Sequence, residues 1–153
     1  MSSHQPTQSM ALAPYLNTRD AAGAIDFYTR VFGAVETVRL VDPDDGKIGH
    51  AELQFGNSVL MLSDEYPAFG ACGPEKFGGS PVKMHLLVDD VDTVFDRAVD
   101  NGATVIRKLE NQFHGHRGGV IADPFSHVWH LQTKIEDVSA QDMQQRWNDS
   151  VEL

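Results

Sequence analysis

Apolar and polar positions along the chain follow the same order twice. In each half, a short apolar run precedes a helical spacing of apolar residues, and three stretches of alternating polarity come after it. The first helix is predicted to begin after Asp20 and to end at Gly33, and the second to begin after Asp90 and to end at Gly102. Asp is a frequent N-cap and Gly a frequent C-cap, so both ends of each helix are marked.

Each half is therefore predicted to be a βαβββ module. The predicted strands are 11–17, 35–41, 47–55 and 58–63 in the first module, and 82–88, 104–109, 118–122 and 127–133 in the second. The apolar run 59–62 recurs at 128–131 with the same offset that separates Gly33 from Gly102. Position, order and caps thus agree on an internal repeat.

The fold class predicted from this repeat is α+β, with tandem βαβββ modules forming curved mixed sheets that carry the helices on their outer face. Neither module can bury the apolar face of its sheet alone, so we expect one structural domain overall. The predicted organisation is a disordered N-terminal extension at 1–10, a first module at 11–63, a linker at 64–81, a second module at 82–134, and a C-terminal segment with a short helix at 135–153.

Alternation within the strands places an unusual set of polar side chains opposite the apolar face. A solvated sheet face is usually rich in Lys, Glu and Thr, whereas this one is rich in histidine, so the pattern favours a polar-lined pocket. The set is Tyr15, Asn17, His50, Glu52, Gln54, His85, His130 and Gln132. Six of these are the predicted ligand-binding residues: Tyr15, His50, Glu52, Gln54, His85 and His130.

Three of these residues are also candidate metal ligands. A two-residue hairpin at 56–57 pairs Glu52 with Met61, and Met61 is the repeat equivalent of His130. If the two modules face each other, Glu52, His85 and His130 approach one another. Two histidines and a carboxylate are a ligand set for Zn²⁺, Ni²⁺, Mn²⁺ or Fe²⁺. The alternatives are hydrogen-bonded structural imidazoles or side chains that contact a substrate.

Charge and composition exclude several other classes of protein. The chain has 153 residues, with 12 Lys and Arg against 22 Asp and Glu, so its formal net charge is −10. Such acidity argues against nucleic acid or an anionic membrane as a partner. The single cysteine, Cys72, cannot form an intramolecular disulfide, and no apolar run approaches the roughly 18 residues of a membrane span. Residues 1–10 lack a signal-peptide pattern, which predicts a cytoplasmic location.

Several segments resemble the vicinal oxygen chelate superfamily, which includes glyoxalase I, bleomycin-resistance proteins and extradiol dioxygenases. They are AIDFY at 24–28, VFG at 31–33 and DPFSHVW at 123–129, within the duplicated βαβββ plan. The segments GHAEL at 49–53, 58–63 and TKIEDVS at 133–139 are similar to the PhnB-like branch. The resemblance covers about residues 11–139.

The resemblance implies a ligand pattern that this chain matches in one position only. Metal-using members take four ligands from the first and last strands of each module, and the matching positions here are Ala13, Met61, Lys83 and His130. Only His130 is an ordinary metal ligand, so the usual chelate is absent or rebuilt.

Three functions remain open on these grounds, and no catalytic residue is predicted. The first is a small-molecule-binding protein of glyoxalase/bleomycin-resistance type, a homodimer with a polar, His-lined cavity. The second is a lyase or dioxygenase that depends on a divalent metal held by Glu52, His85 and His130. The third is a structural dimer that binds no ligand.

Overall fold

The computed structural model describes residues 9–150, so most of the predicted N-terminal extension, along with residues 151–153, lies outside the described part. It confirms the α+β class, with two four-stranded mixed sheets and three α-helices in the described residues. No helix between residues 9 and 150 combines the length and the apolar character needed to cross a membrane.

The first module contains one helix and one sheet, in the predicted βαβββ order. Its elements are β1 (Tyr15–Thr18), α1 (Ala21–Phe32), β2 (Val35–Val41), β3 (Ile48–Phe55) and β4 (Ser58–Asp64). The strand order is β1-β4-β3-β2, with β1 parallel to β4 and the other pairs antiparallel. The predicted pairing of Glu52 with Met61 across the β3–β4 hairpin is confirmed.

The second module repeats this plan and adds a C-terminal helix. Its elements are β5 (Lys83–Leu87), α2 (Val91–Asp100), β6 (Thr104–Asn111), β7 (His116–Ala122), β8 (Val128–Lys134) and α3 (Ala140–Ser150). The strand order is β5-β8-β7-β6, with β5 parallel to β8. Strands β1 and β5 are therefore the equivalent edge strands of the two sheets.

Three of the four helix ends follow the residues that the sequence singled out, whereas α2 ends with Asn101 as its C-cap, one residue before the predicted Gly102. The Asp20 side chain accepts a hydrogen bond from the Gly23 amide at 3.0 Å, and the Asp90 side chain accepts one from the Thr93 amide at 3.2 Å. Gly33 adopts a φ of 73°, a left-handed conformation that glycine tolerates without steric cost. Both helices therefore begin where a side chain satisfies a free backbone amide.

Two segments differ most from their predictions, and β6 and β7 are each two residues longer than predicted. The first strand begins at Tyr15 rather than at residue 11, because Pro14 has no N–H to donate and contributes only its carbonyl, which accepts from the Met61 amide at 3.0 Å. The predicted linker 64–81 contains two 3-10 turns, Pro67–Phe69 and Pro74–Phe77. Each turn begins with proline, whose fixed φ suits the first position of a helical turn.

The apolar faces of both modules pack into one core. Trp129 of β8 is 2% exposed and lies among aromatic rings of the first module. Its ring centroid is 5.1 Å from that of Tyr28, 4.6 Å from that of Phe32 and 5.7 Å from that of Phe55. Burial of these large rings stabilises the contact between the modules, since aromatic side chains bury about 150–250 Å² each.

A buried carboxylate joins the modules at the edge of this core. Asp123 Oδ2 accepts hydrogen bonds from the Tyr28 hydroxyl at 2.5 Å and from Trp129 Nε1 at 2.9 Å. Its Oδ1 accepts from the amides of Phe125 at 2.9 Å and His127 at 3.1 Å. Burial and the Asp123 charge raise the pKa of Tyr28 well above its ordinary value, so this hydroxyl remains a donor.

Candidate functional site

Polar side chains of β5 and β8 lie side by side on the face of the second sheet opposite the core. The parallel register sets His85 directly opposite His130. Lys83 and Gln132 share this face, because residues two apart in a strand point to the same side. The centroids of the two imidazole rings are 5.3 Å apart, and the ring planes are nearly perpendicular. The structure therefore brings His85 and His130 together.

A chain of hydrogen bonds links these side chains to an arginine from β6. His85 Nε2 donates to Gln132 Oε1 at 2.6 Å, and Gln132 Nε2 donates to His130 Nε2 at 2.9 Å. Arg107 Nη2 donates to the same His130 nitrogen at 3.0 Å. Because His130 Nε2 accepts from two donors, the network assigns the ring proton to Nδ1 and leaves this imidazole neutral.

The sequence pattern did not reveal Arg107, because an irregularity in β6 changes its side of the sheet. Val105 pairs with Ile121, but Arg107 pairs with Val120, so one residue is skipped between them. Regular pairing would have placed Arg107 on the core face. A bulge of this kind redirects the side chains that follow it, and alternation alone does not signal its presence.

The electrostatics of this group follow from its composition. Partial burial, followed by the nearby basic groups of Arg107, His85, His114 and Lys83, lowers the pKa of His130 from 6.5 to about 4. The pKa of His114 is also lowered, first by burial and then by neighbouring basic groups. Among residues 9–150, neither Arg107 nor Lys83 forms an ion pair with a carboxylate. The face is therefore a concentration of basic groups.

Gly118 on β7 permits the central position of Gln132 in this network. A Cβ atom at residue 118 would lie 2.6 Å from Gln132 Cγ and 2.6 Å from the Leu131 carbonyl oxygen. The missing side chain lets Gln132 lie across β7, 3% exposed, while its amide contacts both histidines. Sequence parity placed Gln132 on this face, but its bridging contacts depend on the three-dimensional arrangement.

The other predicted site residues form a separate group on the first sheet. His50 Nδ1 lies 2.9 Å from the Tyr15 hydroxyl oxygen, and His50 Nε2 lies 2.7 Å from Glu52 Oε2. Gln54 does not join this group, because its amide donates to the Gly56 carbonyl of the adjacent turn at 2.9 Å. Within the described residues, no hydrogen bond joins these side chains to His85 or His130.

The donor set does not fit a divalent metal ion. Of the four positions that the resemblance implied, Ala13 offers no donor atom, Met61 offers only a thioether, and Lys83 is cationic. The lone pair of His130 Nε2 is already used by two donors, one of them a guanidinium. Across residues 9–150, no three His, Cys, Asp or Glu side chains are grouped suitably to hold a metal ion.

A cleft of about 410 Å³ lies where the edges of the two sheets meet. The segment 12–14 and the start of β4 form one wall, and residues 82–86, including most of β5, form the other. Most of its lining is apolar, and Lys83 and His85 are its basic members. These two residues also belong to the polar face of the second sheet, so cleft and polar face adjoin along β5. The apolar lining includes Phe55, Leu60, Met84, Leu86 and Trp129.

Comparison with known proteins assigns most of the chain to one group. Residues 9–131 match the Glyoxalase/Bleomycin resistance protein/Dioxygenase superfamily. An uncharacterized protein of Mycobacterium bovis is 46% identical over 139 residues, which cover 88% of this chain and 90% of that protein.

Solved structures show the same fold. Protein PA1353 from Pseudomonas aeruginosa is 25% identical with a TM-score of 0.70, and the match covers 84% of this chain and 100% of that one. The PhnB protein from Bacillus cereus shares the fold with a TM-score of 0.64 at 16% identity, over 81% of this chain and 99% of that one.

Proposed function

The chain belongs to the glyoxalase/bleomycin resistance/dioxygenase superfamily, and from this premise we propose that it binds a small organic molecule in the cleft between its two modules. The observation that carries the proposal is the cleft itself, at about 410 Å³. Ligand sites are typically about 300–1,000 Å³, mostly apolar, with a few polar groups that orient the ligand. Here Lys83 and His85 supply those polar groups beside an apolar wall.

Two aromatic side chains in the wall favour a ligand with an apolar or aromatic body. Phe55 and Trp129 both line the cleft, and their rings are nearly parallel, with centroids 5.7 Å apart. Trp129 is held in place by its hydrogen bond to Asp123 and by its contacts with Tyr28 and Phe32. A wall that is rigid before binding loses little conformational freedom when a ligand is bound.

The proposal requires no metal, because the polar groups beside the cleft are hydrogen-bonded to one another. His85 donates to Gln132, and His130 accepts from Gln132 and Arg107. We therefore expect binding to be unchanged after dialysis against a chelator. Stoichiometric Zn²⁺, Ni²⁺, Mn²⁺ or Fe²⁺ in untagged protein, lost in His130→Ala, would instead support the metal-dependent lyase or dioxygenase.

The position of Trp129 allows a direct binding experiment. The chain has two tryptophans, and Trp147 is 51% exposed on α3, away from the cleft lining. In a Trp147→Phe background, Trp129 is the only tryptophan. We expect the neutral probe N-phenyl-1-naphthylamine to bind in this cleft and to quench Trp129 emission by energy transfer, with saturation near one probe per chain.

A matched pair of surface variants provides the control. Val82 lines the cleft and is 60% exposed, whereas Val105 is 45% exposed on β6 and does not line it. Val82→Gln is expected to weaken probe binding about threefold, since it removes apolar contact area, and Val105→Gln is expected to leave binding unchanged. Absence of saturable quenching, or equal effects of both substitutions, would refute the proposal.

We further propose that the protein is a homodimer. Outside the cleft lining, large apolar side chains on the edge strands β2 and β5 are open to solvent, with Val35 at 61%, Leu40 at 58% and Leu87 at 58% exposure. Exposed apolar groups next to unpaired sheet edges are typical of surfaces that a second chain covers. Sedimentation equilibrium should give twice the 16.9 kDa chain mass, and Leu87→Asp, outside the cleft lining, should shift the protein toward monomer. A monomer at all concentrations would refute the dimer.

A further inference from the structure

We infer that the ligand of the cleft is an organic acid, whose anionic group is bound by the Arg107 guanidinium beside His130 on the polar face of the second sheet. This inference rests on the proposed function and adds the chemical class of the ligand. It follows from three observations: the distribution of charge, the unused donors of Arg107, and the continuity of this face with the cleft.

The charge of this face is opposite to that of the whole chain. The protein has a formal net charge of −10, yet basic side chains converge around His130. The strand register places one acidic residue, Glu110, on the same face, and it forms no ion pair with Arg107. A local positive field on an acidic protein attracts anions selectively, because the rest of the surface repels them. The positive charges of this group are those of Lys83 and Arg107, and the imidazoles of His85 and His114 lie close by.

Arg107 has donors left for a ligand. A guanidinium carries five N–H groups, and within the described residues the hydrogen bonds of this one are confined to His130 Nε2 at 3.0 Å. The remaining N–H groups form a planar fork that matches two oxygen atoms of a carboxylate, phosphonate or sulfonate. His130 orients the fork by accepting one of its hydrogen bonds. A neutral imidazole performs this role across the physiological pH range, since the pKa of His130 is lowered to about 4.

The anionic group and the apolar body of one ligand can be bound together. Lys83 and His85 line the cleft, and His85 connects through Gln132 to His130 and Arg107. Arg107 and His130 lie just beyond the lining, with the His130 ring 5.3 Å from that of His85, so a ligand whose apolar part lies between the modules can extend its acidic end past β5 to the guanidinium. On the first sheet, the equivalent polar face carries Glu52 beside His50 and offers an anion no arginine partner.

Two probes that differ by one acidic group test this inference. N-phenyl-1-naphthylamine is neutral, and 1-anilinonaphthalene-8-sulfonate adds a sulfonate to the same ring system. In the Trp147→Phe background, we expect the sulfonate to bind more tightly than the neutral probe. Arg107→Gln should weaken sulfonate binding about tenfold or more, as expected for a lost hydrogen bond to a charged group, and should change neutral-probe binding less than about twofold.

A second arginine provides the matched control. Arg39 lies on β2 of the first sheet, paired with Glu36, and takes no part in the hydrogen-bond network of His85, Gln132 and His130. Arg39→Gln makes the same change in net charge as Arg107→Gln. Because Arg39 is paired with Glu36 in the other module, its substitution should leave the affinities for both probes unchanged. Arg107→Lys keeps the charge but loses the fork, and an intermediate affinity for the sulfonate is expected. Competition by benzoate, phenylphosphonate and benzenesulfonate then identifies the preferred anion.

The outcomes separate this inference from the proposed function. If the neutral probe binds but the sulfonate gains nothing, or if Arg107→Gln and Arg39→Gln weaken it equally, the acid-binding inference is wrong and the cleft proposal stands. If neither probe gives saturable energy transfer from Trp129, the cleft proposal itself is wrong. Circular dichroism and urea unfolding of each variant establish that the comparison is made between folded proteins.

Discussion

Replacing Asp123 with asparagine should destabilise the protein strongly, although the substitution alters only one side-chain group. Asp123 is 4% exposed and accepts four hydrogen bonds, two on each carboxylate oxygen. Two donors, Tyr28 and Trp129, lie in different modules and meet at Oδ2. The other two are backbone amides of Phe125 and His127, which shape the turn between β7 and β8. All the acceptor capacity of the carboxylate is therefore used.

The magnitude follows from counting donors. If the oxygen of the introduced amide remains with the two backbone amides, its NH₂ group faces the Tyr28 hydroxyl and Trp129 Nε1. The hydroxyl can reverse and accept, but the indole N–H cannot, so one buried donor is left without a partner at a cost of about 1–3 kcal/mol. The other bonds lose the contribution of the charge, which adds about 1 kcal/mol. We expect Asp123→Asn to lower the free energy of unfolding by about 3 kcal/mol.

Urea unfolding at pH 7, followed by far-UV circular dichroism, measures this loss. A decrease of about 3 kcal/mol corresponds to a drop in Tm of about 6–12 °C for a chain of this size. The control is Asp26→Asn, the same change at an exposed helix position paired with Arg30, with an expected effect below about 0.5 kcal/mol. Tyr28→Phe should cost about 1–2 kcal/mol alone and less when combined with Asp123→Asn. A loss below about 1 kcal/mol for Asp123→Asn would refute the reasoning.

Three further measurements test other parts of the structure. NMR titration of His130 should give a pKa of about 4, and Arg107→Gln should raise it. Because the unfolded value is 6.5, the unfolded chain binds the proton first as the pH falls, so the free energy of unfolding should decrease between pH 6.5 and about 4. His130→Gln should reduce this decrease. Gly118→Ala should destabilise the protein by about 1–3 kcal/mol in urea unfolding and weaken sulfonate-probe binding, because its Cβ would displace Gln132. Asp20→Ala should cost about 1 kcal/mol in thermal unfolding through the lost α1 cap, and no change in Tm would contradict that role.

The parts of the fold that depend on local chemistry could be predicted from the sequence. Caps at Asp20 and Asp90 located both helices, and the turn at 56–57 set the register that pairs Glu52 with Met61. These features are readable because each depends on a few neighbouring residues. The first strand was predicted too long, since its alternating pattern continues through Pro14, where no ladder hydrogen bond can be donated.

The features that depend on packing between elements could not be predicted in the same way. Arg107 reaches the polar face because β6 skips one residue against β7, and nothing in its alternation of polarity marks the skip. The contact between Tyr28 and Asp123 joins residues of different modules, and an internal repeat defines each module without defining how the two pack. The predicted six-residue site consequently divides into two groups, with Gln54 in neither, since its members were assigned by face within each sheet.

Comparison of the two sheets explains why the second is the better candidate for a ligand site. The strand pairings make Glu52 of β3 and Val120 of β7 equivalent positions in the two modules. Glu52 pairs with Met61 and Val120 pairs with His130, and Met61 and His130 are equivalent in the repeat. Gln54 corresponds in the same way to Ala122. Strand β7 of the second module thus lacks the polar side chains that β3 carries at these positions, and β8 has His130 where β4 has Met61. The first sheet keeps a carboxylate that is hydrogen-bonded to His50, whereas the second presents Lys83 and Arg107, which form no ion pair within the described residues, beside an apolar cleft. From one repeated plan, these few substitutions leave the polar face of the first sheet without lysine or arginine and give the second a face where Lys83 and Arg107 can contact an anion.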